Sequence, residues 1–215
     1  MSPVRSRREL YSEATRNALV DEATTLFAER GYAGTSLEEI AASALLTRGA
    51  VYHHFAGKQA LFEAVLDRLG IGAIKRVAEV AGRQSTPEQA AIAGFDAFLE
   101  ESCDPVYGKL VWQEGPLALG WEGWRRCEQD HSYALVEGIV LSLMDSGYLE
   151  RTAERTTVRI FHEMLGGAGL ALTEAAAEDK PQVRRECTDL FRRVLLGLHQ
   201  QTVADDCSSV SATPR

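Results

Sequence analysis

Between Thr35 and Lys58 the sequence sets out side chains suited to gripping a polyanion and reading base edges. Arg48 carries a planar guanidinium that can give two parallel hydrogen bonds to a guanine edge, or pair with a phosphate. Thr47 and Tyr52 offer hydroxyls for phosphate oxygens, and His53 a ring nitrogen for a phosphate or a base. Gly49 and Ala50 are small, which lets a helix backbone come close to a major groove. Thr35, Ser36 and Lys58 stand at the starts of helical patterns, where free N–H groups and positive charge favour a phosphate.

These groups need a frame that turns them outward together. Ser36-Leu37-Glu38-Glu39 is a capping box, and Leu37, Ile40, Ala41 and Ala44 follow at helical spacing, so a short helix runs to about Ala44. A second short helix is expected over about Arg48 to His54, with Thr47 as N-cap. Leu46, Val51 and Phe55 turn back onto a preceding helix, about Glu13 to Arg30, that carries Leu19, Ala23, Leu26 and Phe27 on one face and ends at Gly31. The pattern is a helix-turn-helix, which places Thr47, Arg48, Gly49, Tyr52 and His53 on the outer face. Arg5, Arg7 and Arg8 form either an arm along the phosphates or a frayed basic tail.

The charge supports this placement only when it is read along the chain. The whole chain carries 23 Lys and Arg against 31 Asp and Glu, a net charge of -8. Residues 1–60 balance, with Arg5, Arg7, Arg8, Arg16, Arg30, Arg48 and Lys58 against as many acids, so the acidic excess belongs to the rest. A neutral head on an acidic body is compatible with DNA at the head.

The rest of the chain also reads as helix. Helices are expected over about Lys58 to Val80, from Thr86-Pro87-Glu88-Gln89 onward, in one short piece between Asp104 and Gly120, and over about Glu122 to Ser146, Ala153 to Ala177 and Pro181 to Gln201. The fold class is therefore all-α with about nine helices. Residues 13–57 form a DNA-binding domain, and residues 58–204 a larger helical domain joined to it by the helix over 58–80. Asp205 to Arg215 read as a tail. No stretch is apolar enough to span a bilayer and no signal peptide is evident, so a cytoplasmic protein with no membrane partner is expected. Cys103, Cys127, Cys187 and Cys207 lie too far apart for a CxxC site, and His162-Glu163 lacks the second histidine of HExxH because Gly166 stands there. Neither an enzyme, a metal site nor a cofactor is expected.

The ordered string Thr35 to Ala42, Thr47 to Phe55 and Gly57 to Phe62, with Leu26 to Tyr32 before it, resembles the DNA-binding domain of TetR-family transcriptional regulators over about Ala14 to Leu66. The resemblance implies the DNA contacts given above. It also implies an effector pocket enclosed by the fifth to seventh helices and a homodimer formed by the eighth and ninth. For the pocket the candidates are Phe95, Phe98, Trp112, Trp121, Trp124, Tyr133, Met144 and His162; the other reading of these side chains is plain core. For the dimer they are Phe161, Leu165, Gly169, Leu172, Phe191, Val194 and Leu198, with packing inside one subunit as the alternative. The family places a glycine where this chain has Leu45, so either the turn is strained or the helix before it ends differently. The expected function is a repressor that leaves a near-palindromic operator when a small apolar or aromatic effector binds. The alternatives are a DNA-binding protein without an effector and a helical ligand carrier.

Overall fold

The computed structural model describes residues 6–199. Arg5, Cys207, the 205–215 tail and the end of the last helix at Gln201 lie outside them. Helices account for nearly all of the described chain: α1 (Arg7–Arg30), α2 (Leu37–Ser43), α3 (Arg48–His54), α4 (Lys58–Gly82), α5 (Pro87–Cys103), α6 (Pro105–Tyr107), a π-helical segment (Gly108–Glu114), α7 (Gly115–Asp145), α8 (Glu154–Glu174) and α9 (Lys180–Leu198).

The first helix starts six residues earlier than the apolar pattern alone indicates. Ser6 caps it and Glu9 returns the bond, a capping box that stabilises the end before any apolar residue appears. Arg7 and Arg8 are thereby helical, not an extended arm. The capping box at Ser36 and the N-cap at Thr47 start α2 and α3 as the sequence indicates. Between them the Leu46 N–H reaches Ala41 O at 2.8 Å and the Leu45 N–H reaches Ala42 O at 3.1 Å, the paired bonds of a Schellman turn. Leu45 is its left-handed residue, with φ 56. Helix α2 thus ends in the ordinary way and the strain falls on Leu45, about 1 kcal/mol for a side chain in that region.

The largest departure lies in the middle. Pro105, Gly115 and Pro116 are residues that usually break helices, yet the chain stays helical across all three, from Pro105 to Leu119. Asp104 caps α6 by accepting from the Val106 and Tyr107 N–H groups, and Pro105 sits in the first turn, where no N–H is needed. Pro116 has no N–H for the carbonyl one turn back. The turn before it widens to π geometry, which absorbs the missing bond. Gly120, at φ 69, supplies the one true interruption within α7.

Helix α1 packs on α4, α4 on α5 and α7, and α8 on α5, α7, α9 and the π segment. The core runs continuously from head to body. At the junction Phe62 of α4 stands edge-on to Phe27 and Tyr32, with ring centroids 5.1 Å away in each case. No helix among the described residues is long and apolar enough to cross a membrane.

Candidate DNA-binding face and apolar cavity

The outer face of α3 carries the side chains expected of it. Arg48, Gly49, Tyr52 and His53 are exposed and Ala50 half-buried, while Val51 is fully buried beneath them. The Thr47 hydroxyl accepts the Ala50 N–H, which leaves its proton available to a phosphate. Arg48 is already engaged. It pairs with Glu38 of α2 at 2.9 Å and lies 5.4 Å from the Tyr52 ring centroid. Its guanidinium is therefore held on the outer face, and any phosphate or base must compete with Glu38 for it.

Thr35 and Lys58 point elsewhere. Thr35 is only 2% exposed, and its hydroxyl donates to Gly31 O and Leu26 O at 2.9 and 3.2 Å. It braces the turn before α2 from inside. The Lys58 ammonium donates to Tyr32 O at 2.8 Å and Thr35 O at 3.0 Å and covers the Tyr32 ring. It ties α4 to the same turn. Ser36 both accepts from the Glu39 N–H and donates to the Glu39 carboxylate, so its hydroxyl is committed to the cap. At the start of α4, Gly57 gives no side-chain cap, so the anion-binding capacity there resides in backbone N–H groups.

Two residues that sequence reasoning passed over bind the body to this turn. The Glu114 carboxylate accepts the Tyr32 N–H at 2.8 Å, and the Lys109 ammonium donates to Ala28 O at 2.5 Å, one of the last carbonyls of α1. Both belong to the π segment, and between them stands Trp112. Gly31 leaves room for Glu114, since a Cβ there would meet its carboxylate. The unusual helix therefore touches the head with its ends and the body's interior with its middle.

That interior holds a cavity of about 310 Å³, the low end of the range that takes small organic ligands. Phe95, Phe98, Trp112, Trp121, Trp124 and His162 of the pocket candidates line it. The three indoles and Phe98 form a chain of ring contacts, with centroids 5.0 Å (Trp121–Trp124), 5.6 Å (Trp112–Trp124) and 6.1 Å (Phe98–Trp112). Tyr133 and Met144 do not line it. Tyr133 faces a shallow groove beside Arg155 and Ile160, and Met144 is buried in the core.

Most of the residues expected at a dimer interface turn inward. Phe161, Leu165 and Phe191 line the cavity, with Phe191 stacked on Phe95 at 4.1 Å. Leu172 is fully buried. Gly169 exists for Trp112, because a Cβ there would overlap the indole. Only Val194, half-buried, and Leu198 remain toward the outside. The side chains that stay outward are different ones: Ile160 on α8 is exposed, with Met164 and Ala171 half-buried along the same line, and Leu190, Gly197 and Leu198 on α9 are exposed, with Val194 half-buried. Both sets follow helical spacing.

Polar groups on the cavity wall were also missed. Glu128 and Ser132 fall on the same stripe of α7 as Trp121, Trp124, Val136, Ile139 and Leu143. A carboxylate on an otherwise apolar stripe was the signal that could have found them. Burial pushes the Glu128 carboxyl up to about 7 and holds the His162 ring below its ordinary value.

Comparison with known proteins agrees with this geometry. The model for bacterial regulatory proteins of the tetR family matches residues 19–65, and that for the tetracycline repressor-like C-terminal domain matches residues 88–198. The transposon Tn10 TetC protein of Escherichia coli is 28% identical over 141 residues, 64% of this chain and 70% of its own. The HTH-type transcriptional repressor Rv3405c of Mycobacterium tuberculosis is 44% identical over 70 residues, which span 32% of this chain and 37% of that protein. Among solved structures, a TetR-family transcriptional regulator from Pectobacterium atrosepticum superposes with a TM-score of 0.78 at 25% identity, covering 92% of this chain and 99% of the other.

Proposed function

The chain belongs to the TetR family of helix-turn-helix transcriptional regulators, and from that premise we propose that it is a repressor that holds a near-palindromic operator as a homodimer and releases it when an apolar or aromatic effector fills the cavity. The DNA-binding head is α1 to α3, and α4 links it to the body. Arg48 reads a base or a phosphate, with Thr47, Tyr52 and His53 beside it and the backbone of Gly49 and Ala50 close to the groove. The free N–H groups at the start of α4 take a phosphate. Two subunits meet through the outward stripes of α8 and α9, where Leu190 is 60% and Leu198 49% exposed. Two-fold symmetry then sets the two α3 helices about 34–36 Å apart, or a multiple of that, to match successive half-sites.

The observation that carries this reading is the π segment. An effector against Trp112 presses on a helix whose Lys109 and Glu114 hold the end of α1. The ligand shifts the equilibrium only by its preference between the arrangement that fits DNA and one that does not. A preference of about 1–3 kcal/mol weakens operator binding roughly 5- to 150-fold. The test is fluorescence anisotropy of a labelled duplex carrying the intergenic DNA beside the gene, over a series of salt concentrations. Affinity should fall steeply with salt despite the net acidity, by roughly 0.9 in log–log slope per phosphate contacted. A flat response contradicts a head that grips phosphates.

A further inference from the structure

The cavity's polar groups are one-sided in a way that names the ligand's charge, given the reading above that this cavity receives an effector. Arg125 and Glu163 on its wall pair with each other at 2.5 Å, and Glu163 also accepts from Arg159 at 2.7 Å. Glu163 is thus shared by two guanidiniums and is not a free acceptor. Glu128 differs: among the described residues its carboxyl has no ion-pair or hydrogen-bond partner. Helices α4 and α5 contribute Ile74, Val77, Ala91, Gly94, Phe95 and Phe98 to the wall, none of which can answer it.

His162 adds a second acceptor. The Ser132 hydroxyl lies 2.7 Å from Glu128 O and 2.7 Å from His162 Nε2. A carbonyl oxygen only accepts, so the single hydroxyl proton goes to it, and the imidazole must donate from Nε2. Nδ1 is then a bare lone pair, and it is buried without a partner. The indole N–H groups of Trp112 and Trp124 are also unpartnered, but those ring edges abut the backbone at Gly169 and Gly115.

We propose that the cavity takes an organic ammonium ion with an apolar, preferably aromatic, body, its N–H groups directed to the Glu128 carboxylate and His162 Nδ1 and its charge set among Trp112, Trp121 and Trp124. Tryptophan faces are the most favourable aromatic surface for a cation, and a hydrogen bond to an ionised acceptor is about twice as strong as a neutral one. The carboxyl of Glu128, raised to about 7 by burial, is what such an ion would bring back toward the ordinary carboxylate range. The other ionisable groups near it are Tyr107 from α6, Arg125 and Cys127 from its own helix, and His162 and Glu163 from α8. Burial, the largest influence on each, raises the Tyr107 hydroxyl and lowers the His162 ring, favouring the neutral form of both, and Glu163 is shared by Arg125 and Arg159.

The test uses three probes of one shape and different charge: 1-naphthylmethylammonium, 1-naphthylmethanol and 1-naphthoate. Tryptophan fluorescence titration of the full chain should give the ammonium about a tenfold or greater advantage over the alcohol near pH 8. That advantage should shrink near pH 6, as Glu128 takes up its proton, and naphthoate should bind weakest. Glu128→Gln should abolish the preference for the ammonium while alcohol binding persists. Equal or tighter binding of the alcohol or the naphthoate by the wild type overturns the proposal. So does an ammonium preference that ignores both pH and Glu128→Gln, or failure of all three probes to bind. Operator anisotropy separates this from the regulatory reading. Release of DNA by the neutral or anionic probe alone sinks the ammonium class and keeps the effector-released repressor. Ammonium binding in the expected order with DNA still held does the reverse.

Discussion

The head and the body use the same kind of helix in opposite directions. In the head, α3 turns its functional side chains outward from a thin apolar underside, so residue type and spacing translate directly into a surface. In the body, α7 and α8 turn theirs inward. The stripe Phe161, Leu165, Leu172 on α8 has the spacing of an interface, yet its members line the cavity or lie in the core, while Ile160 beside them faces out. Periodicity shows that a helix has an apolar face. It does not say whether a neighbouring helix, a ligand or a second subunit covers that face.

The sharpest way to break this comparison is to mutate the two stripes in parallel. Leu172→Ala removes a fully buried side chain and should cost about 2–5 kcal/mol of folding stability, measured by denaturant unfolding. Leu190→Asp should leave the fold in place and move the sedimenting species from dimer toward monomer. Reversed outcomes, with Leu172 governing assembly and Leu190 governing stability, would restore Leu172 to the interface.

Glu128 gives the next effect. Its pKa of about 7 in the folded chain exceeds the ordinary 4.5. The folded protein therefore holds this proton more tightly than the unfolded chain does. The resulting stability is complete below about pH 4.5 and is lost as pH rises through 7. Glu128→Gln stays neutral throughout, so above pH 7 it should be more stable than the wild type, on the order of 1–3 kcal/mol, with the difference vanishing near pH 4–5. Thermal melts at the two ends of this range measure it, and a variant less stable at high pH would show that the carboxylate has a partner.

In the head, Arg48→Ala should weaken operator binding by about 1–3 kcal/mol if the guanidinium reads a base, with the melting temperature unchanged. Glu38→Gln should strengthen binding, because it frees Arg48 from its ion pair. Unaltered affinity in both variants would remove Arg48 from the interface.

How much was legible follows the same division. The capping box at Ser36 and the N-cap at Thr47 act within a few residues, so α2 and α3 can be placed closely from spacing alone. The box at Ser6 is as local, but no apolar periodicity follows it at once to draw attention. Thr35 and Lys58 look like phosphate ligands by type. What commits them inward is the carbonyls of Gly31, Leu26 and Tyr32, a tertiary arrangement that spacing does not carry. Across Pro105 to Pro116, residues that usually end helices sit in first turns or beside a π widening, so their ordinary meaning fails. Six of the eight pocket candidates line the cavity, and of the three tryptophans only Trp121 and Trp124 share a helical stretch, Trp112 standing in the π segment before Gly120. The cavity's acid was missed because attention to apolar stripes passes over the one member that is not apolar.

The smallest effect concerns Leu45, 93% exposed at its left-handed position. Leu45→Gly should relieve the turn and raise stability by up to about 1 kcal/mol, partly offset by the greater freedom of glycine in the unfolded chain. A loss of stability on this change would mean that the side chain makes a contact worth more than the strain.

The central claim is that the cavity acts on the head through the π segment, and it is tested by following operator anisotropy and tryptophan emission together while titrating 1-naphthylmethylammonium into DNA complexes of the wild type and of Lys109→Met/Glu114→Gln. The expected result is that the wild type loses DNA over the same concentrations at which its tryptophans respond, and that the variant binds the probe with similar affinity yet keeps its DNA. Release of DNA by the variant at the same probe concentration as the wild type would contradict the account.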